Sequence, residues 1–241
     1  MDAFIYTAMS GADQALLALN VRANNLANAQ TPGFRADLIS MQSKKVQGYG
    51  YDSRQDVQVD RMAVNAEPGR LTETGRKLDV AIDGPGYLAL DGPDGIVYTR
   101  AGSMILESDG SLTLEGLPVM GEGGPVSLPE HDLVMVGSDG TINVRPLGEP
   151  ELQTVGKLLL VNPDASDVGK DENGFITSIT GSSYEADDTV QLKGGHLEGS
   201  NVSAVDEMMQ TLALTRSFEM QMRLYKTADE LSEAGNRLIR A

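Results

Sequence analysis

Apolar residues recur at helical spacing at both ends of this chain and at alternate positions between them. In the first 32 residues Ile5, Met9, Ala12, Leu16, Leu19, Ala23 and Leu26 step by four and three, the stripe of an amphipathic helix with heptad spacing. Asp2 stands where an N-cap belongs, and Pro32-Gly33 where such a helix must stop. After Gly199-Ser200-Asn201 a second stripe opens with Val202, Val205, Met209 and Leu212. It continues after a one-residue shift through Ala213, Ser217, Met220, Leu224, Thr227, Leu231, Ala234 and Leu238, a drift that suits a helix changing partners along its length. Ser203 and Asp206 have capping-box spacing at its start. At 1.5 Å per residue the second segment spans about 60 Å and the first about 45 Å. The first cannot cover the second, and the excess apolar length implies other subunits.

The first helix is marginal by itself. Seven buried apolar side chains return at most roughly 1.5–3 kcal/mol each, and the alanines less. Ordering the backbone costs about 1–2 kcal/mol per residue, and isolated helices of this length barely form in water. It is therefore expected to be frayed in the monomer and to order on assembly.

Between the ends the period changes to two. Leu78–Ile82, Tyr87–Leu90, Val97–Thr99, Ser111–Leu114, Leu133–Val136, Thr141–Val144 and Lys157–Val161 have the composition of strands. Asp94-Gly95, Asp109-Gly110, Asp139-Gly140 and Asn173-Gly174 are hairpin dipeptides. Residues 35–70 are polar and aperiodic, which predicts an extended connector. The expected organisation is α+β. Long N- and C-terminal helices (1–34 and 197–241) pack as a coiled-coil-like pair and enclose a β-rich domain at 71–196, reached through the connector 35–70.

Charge follows the same division. The chain carries a formal −16, of which each end contributes only −1 (Asp2, Asp13 and Arg22 at one, six acids against five bases at the other), leaving −14 for the middle. So acidic a chain excludes nucleic acid as a partner, since phosphate neutralisation needs Lys/Arg stripes. The near-neutral ends are the parts able to pack against like-charged copies. Cysteine is absent, which removes disulfides, thiolate metal sites and cysteine nucleophiles. The opening Met1-Asp2-Ala3-Phe4 lacks the basic and apolar regions of a secretory signal, and no apolar run is long enough for a membrane span.

The chemical motifs are weak. Gly84-Pro85-Gly86-Tyr87-Leu88-Ala89 fits a loose dinucleotide fingerprint, but that fingerprint must open a helix and this one opens a strand. Asp164 to Phe175 resembles a calcium loop with Val168 at a ligand position and Phe175 in place of the bidentate Glu. His131 and His196 sit in loops without a third ligand, and nothing selects a catalytic pair among the carboxylates. No catalytic, cofactor or metal site is expected, and no enzyme activity.

Three segments then carry a resemblance. Ala23-Asn24-Asn25-Leu26-Ala27-Asn28-Ala29-Gln30-Thr31-Pro32-Gly33-Phe34-Arg35 resembles the N-terminal signature of the flagellar rod and hook proteins, the axial proteins of the bacterial basal body. Leu197-Glu198-Gly199-Ser200-Asn201-Val202, with Arg216-Ser217-Phe218-Glu219 and Thr227-Ala228-Asp229-Glu230, resembles the signature of that family's C-terminal helix. Leu78-Asp79-Val80-Ala81-Ile82-Asp83-Gly84-Pro85-Gly86-Tyr87 and Tyr98-Thr99-Arg100-Ala101-Gly102-Ser103 agree in the middle, with Tyr87 where relatives often carry Phe. Within the family the proximal rod members are most similar, with the distal ones as the alternative.

The resemblance implies a non-enzymatic subunit of the shaft that transmits torque from motor to hook. It implies export through the flagellar type III apparatus without signal cleavage, a place in the periplasmic rod, and terminal helices forming an inner tube with β domains outside. Its partners would be other rod proteins and copies of itself. Residue type alone leaves the Asn20, Asn24, Asn25 and Asn28 amides either solvated or bonded across a helix interface; the resemblance implies packed contacts for Asn24, Asn25, Leu26 and Asn28. The residues expected to carry subunit packing are Leu16, Leu19, Asn24, Asn25, Leu26, Asn28, Pro32, Gly33 and Phe34 at the first helix and its exit. At the second they are Asn201, Val202, Val205, Met209, Leu212, Leu224 and Leu231. A secreted binding module on a helical stalk is the competing reading; four Phe, seven Tyr and no Trp make an aromatic ligand surface a poor fit.

Overall fold

In the computed structural model residues 2–45 and 55–240 are described, with side chains except at 2–8, 55, 56, 61, 236 and 238–240. The N-cap role expected of Asp2 and the stripe positions Ile5 and Leu238 fall outside the described side chains, and 46–54 of the expected connector outside the described residues. The chain divides into two compact units, one of Met1–Ala27, Asp37–Ala63 and Ser203–Ala241, the other of Asn28–Ala36 and Val64–Val202.

The first unit holds both helices, α1 (Asp2–Ala27) and α2 (Ala204–Arg240). Ser203 caps α2, its hydroxyl accepting from the Asp206 N–H at 3.4 Å. The helices run antiparallel. Arg22 pairs with Glu207 at 3.0 Å, and a Cβ on Gly11 would meet the Gln221 amide at 3.2 Å. In the same unit Asp37–Lys45 pairs with Gln55–Val64, so the stretch expected to be a bare connector contains a two-stranded sheet.

The expected fold class needs correction beyond its α+β character. The helices have 26 and 37 residues, shorter than the segments 1–34 and 197–241 assigned to them, and they do not enclose a β-rich domain. Instead the described strands form seven small sheets, one of which belongs with the helices. Pro32 cannot extend a helix, and His196–Glu198 is a strand paired with Leu71–Glu73.

Nor is the seam a coiled coil of the expected large residues. On α1 the better-covered positions are Gly11, Ala15, Ala18, Arg22 and Asn25, next to the stripe read from hydrophobicity; Ala12 of that stripe is buried as well, while Met9, Leu16 and Ala23 are exposed. On α2 they are Glu207, Thr211, Leu214, Phe218, Gln221, Ala228, Ser232 and Gly235. Both sets keep heptad spacing, but small and polar residues dominate them. Small side chains let two helices approach closely, and the bulky ones turn outward.

The second unit is β-rich. Its five-stranded sheet runs, in spatial order, Leu160–Val161, Tyr87–Gly92, Gly95–Thr99, Ile176–Ser178, Val168–Lys170, with antiparallel neighbours. Tyr87 and Ala89 point to a core with Tyr98, Val161, Val168 and Ile176; Leu88 and Leu90 point to the larger core with Met104, Leu112, Ile142 and Leu158. Both faces are covered, which is why Tyr87-Leu88-Ala89-Leu90 is apolar throughout. All four hairpin dipeptides lie between antiparallel strands. Gly84-Pro85-Gly86 is a turn feeding the strand Tyr87–Gly92, as the sequence requires of it.

Leu90 is fully enclosed. Leu90→Ala is expected to lower the stability of the β-rich unit by about 2–5 kcal/mol, read as a lower urea midpoint for strand signal with helical signal unchanged.

Candidate functional site

The signature segments at the two ends of the chain meet each other. The Gly33 N–H donates to the Glu198 carbonyl at 2.8 Å, and the Asn201 N–H donates to the Phe34 carbonyl at 3.2 Å. The Asn201 side chain completes the join across 165 residues of sequence: its Oδ1 accepts from the Ala36 N–H at 2.7 Å. Its Nδ2 donates to the Asn65 and Glu67 carbonyls at 3.1 and 2.8 Å. One amide thus satisfies three backbone groups that lack ladder partners.

At the centre lies Glu198, whose side chain is fully buried. Oε1 faces the Arg35 Nη1 at 2.8 Å and accepts from the Gly69 N–H at 2.6 Å; Oε2 accepts from the Arg100 Nη1 at 3.0 Å. Both arginines are also buried. Arg35 donates to the Glu67 carbonyl at 2.7 Å, Arg100 to the Gly84 carbonyl at 2.5 Å, and the Arg100 guanidinium lies 5.4 Å from the centre of the Tyr87 ring. Burial pushes the Tyr87 hydroxyl above its ordinary pKa, against the pull of the Arg100 and Arg35 charges. Burial also draws the Arg100 guanidinium down, and the Glu198 carboxylate opposes that shift. Two guanidinium groups share one carboxylate, so removing it would leave both buried and uncompensated. Nothing here presents a nucleophile or an open face to a substrate. The arrangement is a clasp.

Gly33 is the tightest point. It has φ +72°, and a Cβ there would lie 2.1 Å from the Ala101 nitrogen. Beside it Lys170 Nζ lies 3.9 Å from the centre of the Phe34 ring and donates to the Arg35 carbonyl at 2.6 Å. Pro32 is exposed. In the helical unit Asn25 is fully buried, and its amide takes both backbone groups of Asp37, accepting from the N–H at 2.8 Å and donating to the carbonyl at 3.0 Å. These bonds go to the chain beyond the helix exit. Asn28 holds the turn instead, accepting from the Thr31 hydroxyl at 3.1 Å, and Asn24 is exposed.

The remaining expected residues belong to the helical unit, except Val202 at the end of the β-rich unit. Leu16 is 44% exposed and Leu19 and Leu26 are half-buried. Val205, Met209, Leu212, Leu224 and Leu231 are 53–66% exposed, and Val202 is half-buried. The structure therefore brings Gly33, Phe34 and Asn201 together and leaves Leu16, Val205, Met209, Leu212, Leu224 and Leu231 exposed. Glu198, Arg35 and Arg100 escaped the site reading, although all three stand inside the quoted signatures. A lone charge in an otherwise glycine- and amide-rich motif was the available signal. Among the described residues no group of three His, Asp or Glu side chains is placed to hold a metal ion.

Three outcomes follow from this geometry. Glu198→Gln should cost about 3–5 kcal/mol, seen as a lower thermal midpoint of the β-rich unit; an unchanged midpoint would show the carboxylate to be dispensable. Gly33→Ala should destabilise the same unit, with Pro32→Ala close to wild type. Asn25→Ala should cost about 1–3 kcal/mol by stranding the Asp37 backbone groups, measurable by amide exchange at Asp37.

The family models that match are those of the flagella basal body rod protein at residues 5–35, the flagellar hook protein FlgE/F/G D1 domain at 81–144 and the flagellar basal body rod FlgEFG protein C-terminal region at 193–238. The flagellar basal-body rod protein FlgF of Escherichia coli is 40% identical over 248 residues, 99% of either chain. FlgF of Salmonella typhimurium is 38% identical over the same share of both. The flagellar basal-body rod protein FlgG of Bacillus subtilis is 29% identical over 94% of this chain and 95% of its own. With relatives of 38–40% identity matched end to end, this chain belongs to the flagellar basal-body rod protein family and is a structural subunit of the rod.

Proposed function

We propose that this subunit belongs to the proximal part of the rod, and that the outward faces of α1 and α2 are its contacts with neighbouring axial subunits. The observation that carries this is the row Val205, Met209, Leu212, Leu224 and Leu231, large apolar side chains 53–66% exposed on one helix. Monomeric soluble proteins rarely leave such a row open. The ends also carry little net charge, so helices can crowd together while the acidity stays in the middle of the chain. The similarity to FlgF over the whole length favours the proximal position over a distal one.

In this reading the clasp at Glu198 lets the subunit bear load. Torque applied to the helices reaches the β-rich unit through chain crossings whose flanks are pinned by Asn25 and Asn201. We further infer that the subunit reaches the periplasm through the flagellar type III export apparatus, as the family resemblance implies. Loss of the protein from the periplasm of export-defective cells would test that route.

The assembly role has a direct test, because its residues do little for the monomer. Leu212→Glu with Leu231→Glu should change monomer stability by no more than about 0.5 kcal/mol per site, yet abolish swimming and remove the chain from purified basal bodies. Normal swimming by the folded double variant would overturn the proposal.

A further inference from the structure

A shallow apolar groove of about 350 Å³ opens between α1 and α2. Met9, Leu16, Phe218, Met222 and Tyr225 line it, and one acid, Asp13, stands at its edge. A single carboxylate beside an apolar slot favours an apolar ridge that carries a cation. The chain itself has one. Val205, Met209, Leu212 and Arg216 follow one another at heptad spacing along α2, and all four are exposed.

Two further observations fit the groove to the ridge of another copy. Among the described residues neither Asp13 nor Arg216 has an ion-pair partner. At 3.6 residues per turn the ridge lies about 145° around α2 from the mean direction of Phe218, Met222 and Tyr225. Ridge and groove therefore occupy opposite sides of the helix, and no chain can place its own ridge in its own groove. A contact between different patches on successive copies is heterologous and propagates into a ring or an open helix instead of closing as a two-fold pair.

We propose that the Val205–Arg216 ridge of one copy seats in the α1/α2 groove of a second copy, with Arg216 of the ridge against Asp13 at the groove's edge. This rests on the reading of the helical faces as assembly contacts and gives that assembly a direction. The apolar residues supply the cohesion, and the charge pair selects the register. Exposed pairs contribute little affinity, but like charges placed together repel strongly.

The natural chain has no cysteine, so an introduced pair is the only thiol pair present. The full-length Asp13→Cys/Arg216→Cys variant, expressed in swimming cells and treated with a short bis-maleimide, is expected to give a ladder of dimers and higher multimers. Each single-Cys variant should stay monomeric. In parallel, Asp13→Arg and Arg216→Asp should each reduce incorporation into basal bodies by about tenfold or more, and the double reversal should restore it. Only monomer in cells that swim, with the protein present in their basal bodies, would overturn the contact and leave the rod reading standing. Single reversals that assemble normally, or a double reversal that fails to recover, would overturn it too. Absence of even the unmodified chain from purified basal bodies would sink the rod reading itself.

Discussion

The buried carboxylate of Glu198 is the interaction on which the clasp depends. It pairs with two arginines from distant parts of the sequence and takes the Gly69 N–H as well. A carboxylate with this many charged and backbone donors is costly to desolvate, so its value lies less in net stability than in specifying one arrangement. Arg35 comes from the exit of the first helix, Arg100 from the end of a central strand, and Glu198 from the strand that precedes the second helix. The three charges thereby tie those three segments together within the β-rich unit.

The helical unit follows the opposite logic. Its intramolecular seam is built from glycine, alanine and polar residues, with Arg22–Glu207 as an internal ion pair. A seam of that kind positions two helices closely without consuming their large apolar side chains. Those stay exposed on the helical unit. The same residues would be an aggregation hazard in a protein that stayed monomeric; in the assembly proposed above they would supply the cohesion between subunits.

Much of the β-rich unit was legible. Alternation marked its strands, and four Asp-Gly or Asn-Gly dipeptides marked hairpins, because their local backbone demands leave few alternatives. The residues 35–70 were harder: the strands Asp37–Lys45 and Gln55–Val64 are polar and mostly exposed where described, so period-two hydrophobicity is faint. The helices were legible as helices, and their heptad spacing as well. Which heptad stripe turned inward was not. Hydrophobicity ranks Met9, Leu16 and Leu212 above Ala15, Ala18 and Thr211, whereas close helix packing selects for small size.

By itself, then, the sequence determined the two terminal helices as helices, many strands and hairpins of the β-rich unit, the charge contrast between ends and middle, and the signatures that flank the clasp. Those properties are local, set by side-chain period, turn chemistry and composition. Tertiary structure alone decided that Glu198 would meet Arg35 and Arg100, that Asn25 would bond the backbone of Asp37, and that Leu212, Leu224 and Leu231 of α2 would face outward. Each of these outcomes depends on which distant backbone arrives at a given side chain. Burial of a charge or exposure of a leucine is fixed by that arrival, because desolvation and packing are properties of the neighbourhood and not of the residue.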